Sequence, residues 1–405
     1  MTSFRIAWRN LARNRRRTAI TLSAVALNAA VLITTLALMR GLEHDMLRAA
    51  TRLFVGDIQA HAPDYLAERS FYDSLDKPEA LLLAAASQQM YAAPRSYGYG
   101  LISHGIKSAG ATFIGVRPDA ERRAFELNQE VHTGNYLGDD ARREVVIGAK
   151  LARSLQAEVG TELVAVVQAA DGSLGTDLLH VAGILKSVGE EIDRGGIFLH
   201  ATDFEQLFVS DGRIHEVAFN AVGRDPRLLI SRLAPTDPRV DLRTWREILP
   251  SLSDMLTMYD AAIWLFALVF YIAAGLGVLN TMLMATHDRV RELGLLKALG
   301  ESPWRIVRDI ATEALVLGMV ATAFGLAIGL LGVLYLQIAG IDLSVFGDTQ
   351  FSFAGIAWDP IWRARLNLSE TMVSVVLMWL ACVLASLYPA IKVARLQAAR
   401  AMTHV

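Results

Sequence analysis

The sequence predicts a membrane protein with four transmembrane α-helices, an in-plane amphipathic helix at the N-terminus, and a large extracytoplasmic α+β domain between the first two spans. Of the 405 residues, 53% are hydrophobic, and the mean hydropathy is +0.34, as is typical of membrane proteins. Four charge-free stretches each reach the length of about 20 residues that a bilayer requires. The long segment between the first and second stretches instead has the alternating short strand and helix patterns of a water-soluble domain.

The charge-free stretches set the predicted domain boundaries. They occupy 18–39, 261–286, 314–341 and 371–391. We accordingly expect spans at 18–40, 256–286, 314–341 and 371–391, an extracytoplasmic domain at 41–255 with 130–210 as a candidate subdomain, connections at 287–313 and 342–370, and a tail at 392–405.

The distribution of lysine and arginine predicts the orientation of the spans. Six arginines and no acidic residue precede the first span, and three basic residues with no acidic one follow the last. The 287–313 connection carries five basic residues, whereas 342–370 carries two against four acidic ones. Because basic residues are enriched in cytoplasmic loops, both termini and 287–313 are expected in the cytoplasm. The 342–370 loop and the large domain are then outside.

Residues 1–17 form the predicted in-plane helix. At 100° per residue, Phe4, Trp8 and Leu11 share one face and Arg5 and Arg9 lie on the other. This pattern suits a helix at the cytoplasmic surface of the lipid bilayer, with its arginines near lipid phosphates. The alternative is an arginine cluster that only sets the orientation of the first span.

The external domain alternates short strand and helix patterns. Segments rich in β-branched residues predict strands at 56–62, 111–118, 143–148, 161–168, 178–185 and 214–222. Helices are expected at 149–160, ended by Gly160, and at 201–209, capped by Thr202 or Asp203. Asp171-Gly172 predicts a tight turn between two strands. The glycines at 98–105 indicate a turn, and the acidic 189–196 segment a solvated loop.

No catalytic or metal site is predicted. The sequence has no phosphate-binding loop and no H-E-x-x-H pattern, its one cysteine is Cys382, and its nine histidines are scattered. We therefore expect no catalytic residues, no metal and no cofactor. The net charge of −2 argues against nucleic-acid binding. The charge-free stretches also hold no histidine, which argues against a proton or ion pathway.

Two sets of span residues are candidates for contacts. Ala321, Gly325 and Gly329 recur every fourth residue, a spacing that allows two helices to pack closely. A second set is aromatic or methionine, near the start of the second span: Met255, Met258, Tyr259, Phe266 and Phe270. These flexible and aromatic side chains favour a lining for hydrophobic cargo. The alternative for Tyr259 is the aromatic belt of the membrane interface.

The connection between the second and third spans contains a short helix with leucines on both sides. In "RVRELGLLKALGESPWRI" (289–306), Leu295 and Leu299 lie opposite Leu293. Gly300 ends the helix and Ser302-Pro303 starts the next one. One apolar side can pack on the membrane bundle, so the other indicates a partner protein. A re-entrant or interfacial helix is the alternative.

Three segments resemble the permeases of the MacB, LolC/LolE and FtsX superfamily. They are "WRNLARNRRRTAITL", "NTMLMATHDRVRELGLLKALGESPWRI" and "LYPAIKVARLQAARAM". The resemblance implies a dimeric half of an ATP-binding cassette (ABC) system that works at the outer side of the bacterial inner membrane by mechanotransmission. It also implies that ATP is bound by a separate cytoplasmic ATPase dimer, contacted by Arg291, Glu292, Leu295, Leu296, Lys297 and Leu299.

Within the superfamily, "VGDIQAHAPDY", "FIGVRPDAE" and "REVVIGAKLARSLQAEVGTEL" are most similar to the lipoprotein-releasing LolC/LolE branch. That branch implies lipoprotein cargo, a second permease copy as homodimer or paralogous heterodimer, and a periplasmic carrier. The short hairpin at "AADGSLGTD" and the tail "RLQAARAM", without the family's Asp-Pro pair, depart from the pattern. Two alternatives stay open: an FtsX-like regulator of a periplasmic enzyme, and a peptide or drug exporter with a periplasmic adaptor.

Overall fold

The computed structural model describes residues 15–237, 239–342, 352–353, 356–357 and 361–395. Most of the predicted in-plane helix, including Phe4, Arg5, Trp8, Arg9 and Leu11, lies outside the described residues, as does the tail beyond Arg395. The chain divides into two compact units. The helical unit comprises 1–44, 257–343 and 361–405, and the sheet unit comprises 45–256 and 344–360.

The elements of the described residues are as follows. The helices are α1 (Arg15–Ala50), α2 (Tyr65–Glu68), α3 (Pro78–Ser87), α4 (Pro118–Ala124), α5 (Ala149–Leu155), α6 (Glu190–Gly195), α7 (Ala201–Phe208), α8 (Pro226–Leu233), α9 (Trp245–Ile248), α10 (Pro250–Asp288), α11 (Val290–Ala298), α12 (Pro303–Ala339) and α13 (Leu368–Ala394). Helix α1 continues as a π-helical turn at Thr51–Val55, and 3₁₀ turns occupy Leu127–Glu130 and Ala234–Thr236. The strands are β1 (Ile58–His61), β2 (Tyr91–His104), β3 (Lys107–Val116), β4 (Val131–Gly134), β5 (Glu144–Ile147), β6 (Glu162–Gln168), β7 (Leu174–Leu185), β8 (Gly196–His200), β9 (Glu216–Asn220), β10 (Asp241–Thr244), β11 (Ile341–Asp342), β12 (Ser352–Phe353), β13 (Ile356–Ala357) and β14 (Ile361–Trp362).

Four helices among the described residues are long and apolar enough to cross a membrane. They run over Thr18–Val55, Pro250–Asp288, Pro303–Ala339 and Leu368–Ala394. Three of them contain a whole charge-free stretch; Pro303–Ala339 begins before the third stretch but ends two residues short of its end, because Gly340 caps the helix with a positive φ (+67°). Charged residues at the ends of a span are compatible with helix, so the charge-free length underestimates the helix. Pro303 occupies the first turn of α12 with Ser302 as N-cap, as predicted, because proline lacks the N–H that is unpaired there anyway.

The core of the helical unit consists mainly of small and aliphatic side chains from the four long helices. Its buried members are Val25, Ala29, Leu32 and Leu36 of α1, Ile263, Ala267, Tyr271, Ala274, Val278 and Met282 of α10, Ala314, Leu317 and Ala321 of α12, and Met378 and Cys382 of α13. Two polar contacts accompany this packing. The Thr21 and Thr281 hydroxyls are 2.7 Å apart, and the Asn28 amide donates to the Phe270 carbonyl at 2.8 Å.

The sheet unit is built on one mixed ten-stranded sheet. The strand order is β10-β1-β9-β2-β3-β8-β5-β7-β4, and β6 pairs with both β2 and β7. The β3–β8 and β5–β7 pairs are parallel and the other pairs of this sheet are antiparallel. The strands between 130 and 210 are hydrogen-bonded into this same sheet. Outside it, β11 pairs with β14 and β12 with β13.

Each predicted strand segment contains a strand, but the prediction of a glycine turn at 98–105 was wrong. Residues 91–104 form β2, the longest strand, and only Gly105 (φ +58°) is in the turn that follows. A Cβ at Gly98 would lie 2.3 Å from the Phe208 ring, and one at Gly100 2.6 Å from Val167. These glycines therefore admit neighbouring side chains against the strand instead of reversing the chain.

Three helix details also differ from expectation. Helix α5 ends at Leu155, because Gln156 adopts a left-handed conformation (φ +52°) before Gly160 is reached. The N-cap of α7 is His200, whose side chain accepts from the Thr202 backbone N–H, and not Thr202 or Asp203. The expected solvated loop at 189–196 contains α6, where the buried Asp193 carboxylate accepts from the Val188 backbone N–H at 3.0 Å.

Candidate functional site

The connector helix α11 is fixed on one side to its own bundle. Leu293 packs against a cluster of Ile306, Val307, Ile310, Ala390, Val393 and Ala394 from α12 and α13. The Lys297 ammonium donates to the Ala394 carbonyl at 2.6 Å, near the C-terminal end of α13, where cations are favoured. Arg289 donates to the Glu313 carboxylate at 3.3 Å, just before the helix begins. These bonds join the connector to both following helices.

The other side of the connector presents an apolar surface. We name the exposed residues Leu295, Leu296, Leu299 and Trp304 the connector patch. Leu299 and Trp304 are 77% and 79% exposed, and the predicted contact residues Arg291 and Glu292 are exposed beside them. Lys297, in the same predicted set, is half-buried. Trp304 was not predicted, although an exposed tryptophan in the first turn of a helix is a readable signal, since large aromatics mark binding surfaces.

The predicted cargo residues of α10 are only partly brought together. The Phe266 and Phe270 rings pack with centroids 5.0 Å apart, and Met258 is exposed on the same helix. Tyr259 is half-buried, and its hydroxyl lies 2.7 Å from the Met39 Sδ, so it faces α1. Met255 is half-buried on the same helix but belongs to the sheet unit.

The small-residue stripe of α12 lies against α1. Ala321 is fully buried. A Cβ added to Gly325 would lie 2.5 Å from the Ala29 Cβ and 2.6 Å from the Ala26 carbonyl oxygen. At Gly329 the nearest atoms would be those of Ile33 and Ala30, at 3.1–3.2 Å. The two helix backbones are therefore in close contact along this stripe, which a larger side chain could not enter without moving one of them.

An arginine that the sequence reasoning missed joins three of the long helices. Arg40, near the end of the predicted first span, donates to Asp260 of α10 at 2.6 Å and to Glu370 of α13 at 2.7 Å. It also donates to Glu43, one turn along its own helix. Its side chain is only 16% exposed. The partners are distant in sequence, so no local pattern points to this cluster.

A second missed arginine lies in the sheet unit, fully buried on β2. Arg95 forms a two-bond pair with Glu121 (2.7 and 3.2 Å), donates to Glu216 at 2.8 Å, and donates to the Phe54 carbonyl at 2.6 Å. Burial by itself lowers the pKa of Arg95, but the two carboxylates outweigh it and the pKa stays above its usual value. Burial likewise acts to raise the pKa of Glu216, yet the His61 hydrogen bond and the Arg95 charge hold it below normal. Arg95 and Glu216 therefore both favour their charged forms.

Two family models match separate parts of the chain. The model for the MacB-like periplasmic core domain matches residues 18–231, which is more than half of the chain. The model for the FtsX-like permease C-terminal region matches residues 264–398, which include the connector helix, the small-residue stripe and Glu370.

Individual relatives agree with the models. The chain is 22% identical to the lipoprotein-releasing system transmembrane protein LolC of Xylella fastidiosa strain 9a5c, over 94% of this chain and 92% of the relative. It is also 22% identical to LolC of Neisseria meningitidis serogroup B, over 78% of this chain and 76% of the relative. A macrolide export ATP-binding/permease protein MacB of Shewanella sp. strain ANA-3 is 22% identical over 83% of this chain and 53% of the relative.

These matches extend across both units and include the connector. They agree with four helices of membrane-spanning length and with a mixed α/β domain between the first and second of them. The chain therefore belongs to the MacB/LolC/FtsX superfamily of ABC transporter permeases, multipass membrane proteins of the bacterial inner membrane.

Proposed function

We propose that this permease takes its energy from a separate cytoplasmic ATPase dimer and moves a lipoprotein or another amphipathic cargo out of the outer leaflet of the inner membrane. The observation that carries the proposal is the connector patch. Leu295 and Leu296 are exposed on the short helix α11, Leu299 is exposed at its C-cap, and Trp304 is exposed in the first turn of α12. The opposite side of α11 is bonded to α12 and α13. An apolar surface on a fixed support is suited to transmitting a partner's movement to the helices.

The ATPase docks on the connector patch in this proposal. Leu295, Leu299 and Trp304 form the apolar centre, and Arg291 and Glu292 add polar contacts at its edge. Interfaces of this kind concentrate their binding energy in a few central apolar and aromatic side chains. The Lys297 bond to Ala394 then keeps the connector from moving independently of α13.

The cargo assignment rests on the two LolC relatives and on α10. Their names describe lipoprotein release, and they align with most of this chain. Met258 and Phe266 are exposed on α10, a surface that suits acyl chains when two copies of the permease face each other. The transport step is mechanotransmission: ATP-driven closure of the ATPase moves the connectors, the long helices and then the external domains.

The proposed orientation puts both termini and the connector in the cytoplasm and the sheet unit outside. The lysine and arginine distribution supports it, as does the match of 18–231 to a periplasmic core domain. A periplasmic carrier or adaptor would then meet the sheet unit.

Affinity purification from detergent tests the proposal. The full-length permease is captured, and co-purified proteins and acylated species are identified by mass spectrometry. We expect an ABC ATPase together with triacylated lipoproteins. Leu295→Asp should lose the ATPase, Phe270→Ala should lose the lipoprotein, and Leu83→Asp, at a 73% exposed position of α3, should lose neither.

The same experiment separates the alternatives. An ATPase recovered with a soluble periplasmic hydrolase and no lipidated protein would assign the chain to a regulator. Recovery with a periplasmic adaptor and no lipoprotein would indicate peptide or drug export. Absence of any ATPase, or its retention by Leu295→Asp, would overturn the docking proposal.

A further inference from the structure

The sheet unit contains a cavity that the permease function does not use. Its volume is ≈ 220 Å³, and it opens between the end of α1, the short helix α2 and the sheet. Leu53, Ile114 and Ile192 contribute to an apolar wall, whereas His61 and Glu216 contribute polar atoms. All of these residues belong to the sheet unit. The cavity is therefore a mixed apolar and polar pocket within one compact unit.

One polar atom of a residue that lines this pocket has no partner. His61 is fully buried, and its Nε2 lies 3.3 Å from the Glu216 carboxylate. Its Nδ1 is also buried and makes no hydrogen bond. When Nε2–H donates to the carboxylate, Nδ1 carries a lone pair that can only accept. Because buried polar atoms are nearly always paired, this nitrogen calls for a hydrogen-bond donor from outside the chain.

The orientation of the His61 ring is fixed by its neighbours. Tyr65 stacks on it with ring centroids 5.4 Å apart, and His215 stacks on the other side of Tyr65 at 5.6 Å. The His215 ring is held in turn, since its Nδ1 accepts from the Tyr97 backbone N–H at 2.9 Å and its Nε2 donates to the Phe71 carbonyl at 2.7 Å. A simple rotation of the His61 ring therefore cannot give its Nδ1 a hydrogen-bond partner.

The charges around the cavity favour a cation. The ionisable lining groups besides His61, Tyr65 and Tyr97 are Glu216, Glu191 and Arg69, and Arg69 pairs with Glu191 at 3.2 Å. Glu216 shares Arg95 with Glu121, so the buried cluster also has one carboxylate in excess. A buried carboxylate excess is stabilised by a cation and opposes an anion. The Tyr65 and Tyr97 rings in the lining are surfaces on which an organic cation is favoured.

The volume limits the size of the ligand. At about 30 Å³ per water molecule, the cavity corresponds to roughly seven waters. It is smaller than the roughly 300 Å³ at which pockets for drug-sized molecules begin. A single aromatic ring or a short alkyl chain with one polar group fits this space.

We propose that this cavity binds a small primary amine with an apolar body. The ammonium donates to His61 Nδ1 and is attracted by the carboxylate excess of the Arg95, Glu121 and Glu216 cluster across the ring, and the apolar body lies against Leu53, Ile114 and Ile192. The site is separate from the connector patch and does not depend on the identity of the cargo or the ATPase.

Three probes that differ only in their polar group test the proposal by isothermal titration into the full-length permease in detergent. They are 2-phenylethylamine, 2-phenylethanol and phenylacetate. We expect the amine to bind at least about tenfold more tightly than the alcohol, because the alcohol leaves the excess carboxylate uncompensated. Phenylacetate should show no saturable binding.

Two variants assign the binding to this cavity. Glu216→Gln should reduce the affinity for the amine to that for the alcohol. Because Glu216 also holds Arg95, a second variant avoids the ionic cluster: Leu66→Trp fills the cavity from a half-buried lining position. It should abolish saturable amine binding, whereas Leu83→Trp, at an exposed position outside the cavity, should retain it. Partition of the probe into detergent is common to all variants and cancels in the comparison.

Three results would overturn the proposal. Equal affinities for the amine and the alcohol would show that the cavity does not select a cation. Amine binding that survives Leu66→Trp would place the ligand elsewhere. The absence of saturable binding for all three probes would show that the cavity does not bind small amines with an apolar body.

Discussion

The Arg40 guanidinium donates from Nε to the Glu370 carboxylate at 2.7 Å and thereby ties α1 to α13, although 330 residues separate the two in sequence. The same guanidinium bonds to Asp260 of α10. One cation thus offsets carboxylates from three helices, and removing it would leave those carboxylates close together without a counter-charge, two of them half-buried and Asp260 half exposed.

We predict that Arg40→Gln destabilises the helical unit by about 2–3 kcal/mol, since hydrogen bonds to charged groups are lost and like charges are left together. The measurement is the thermal unfolding midpoint of the purified permease in detergent, which should fall by several degrees. Arg48→Gln is the control, because Arg48 lies on the same helix but is more than half exposed, and its pair with Glu126 is worth under about 1 kcal/mol. Equal effects of the two variants would contradict a special role for Arg40.

The close contact between α12 and α1 predicts opposite results for two identical substitutions. Gly325→Ala places a methyl group against Ala29 and the Ala26 backbone, and should cost about 1–3 kcal/mol of overpacking. Gly277→Ala, where no heavy atom lies within 4 Å of the added Cβ, should be neutral or stabilising by up to about 1 kcal/mol, because alanine favours helix. The same thermal assay compares them. A neutral Gly325→Ala would mean that the helices are further apart than described.

His215 predicts a loss of stability in mild acid. Burial lowers its pKa, and both ring nitrogens are already used by the neutral form. As the pH falls below the unfolded pKa of about 6.5, the unfolded chain binds a proton that the folded chain resists, so unfolding is favoured. The unfolding midpoint of the sheet unit should therefore decrease between pH 6.5 and 5, a range set by that unfolded pKa.

The variant His215→Gln should flatten this pH dependence while lowering stability overall, because the glutamine amide is not titratable. His132→Gln, at an exposed position of β4, should keep the wild-type slope. An unchanged slope in His215→Gln would show that another group is responsible.

Substitution of Trp304 is predicted to weaken ATPase binding without changing the stability of the permease. Its side chain is 79% exposed, so Trp304→Ala should leave the thermal midpoint unchanged. If it is a central contact, the dissociation constant for the ATPase should rise about 30-fold, the equivalent of about 2 kcal/mol. Surface plasmon resonance with the captured permease measures this, with Leu228→Ala of α8 as the exposed control. An unchanged constant would remove Trp304 from the connector patch.

The sequence was informative wherever one local pattern decides the structure. Charge-free length predicted the four long helices, and Gly300 with Ser302-Pro303 predicted where the connector ends and α12 begins. β-branched segments predicted six of the ten strands of the main sheet and missed β2, β4, β8 and β10. The 14-residue β2 was misread because glycine is conformationally permissive: only the neighbouring Phe208 and Val167, distant in sequence, show why Gly98 and Gly100 lie in a strand.

The buried charges could not be predicted for the same reason. Arg95 resembles any surface arginine until β9 and α4 bring Glu216 and Glu121 against it. Arg40 likewise depends on carboxylates from two other long helices. Only tertiary folding brings such groups together, so no periodic pattern in the sequence indicates their pairing. Trp304 differs, because its position in the first turn of α12 was readable and was overlooked.

The end of the first long helix has a physical consequence of its own. Carbonyl groups at a helix C-terminus carry partial negative charge and need donors. The last π turn gives its Phe54 carbonyl to the buried Arg95 and its Val55 carbonyl to Gln59 at 2.7 Å. The helix dipole therefore ends on a guanidinium that is shielded from water. Any sliding or twisting of this helix end about its axis must strain charge-assisted bonds that no solvent molecule is present to replace.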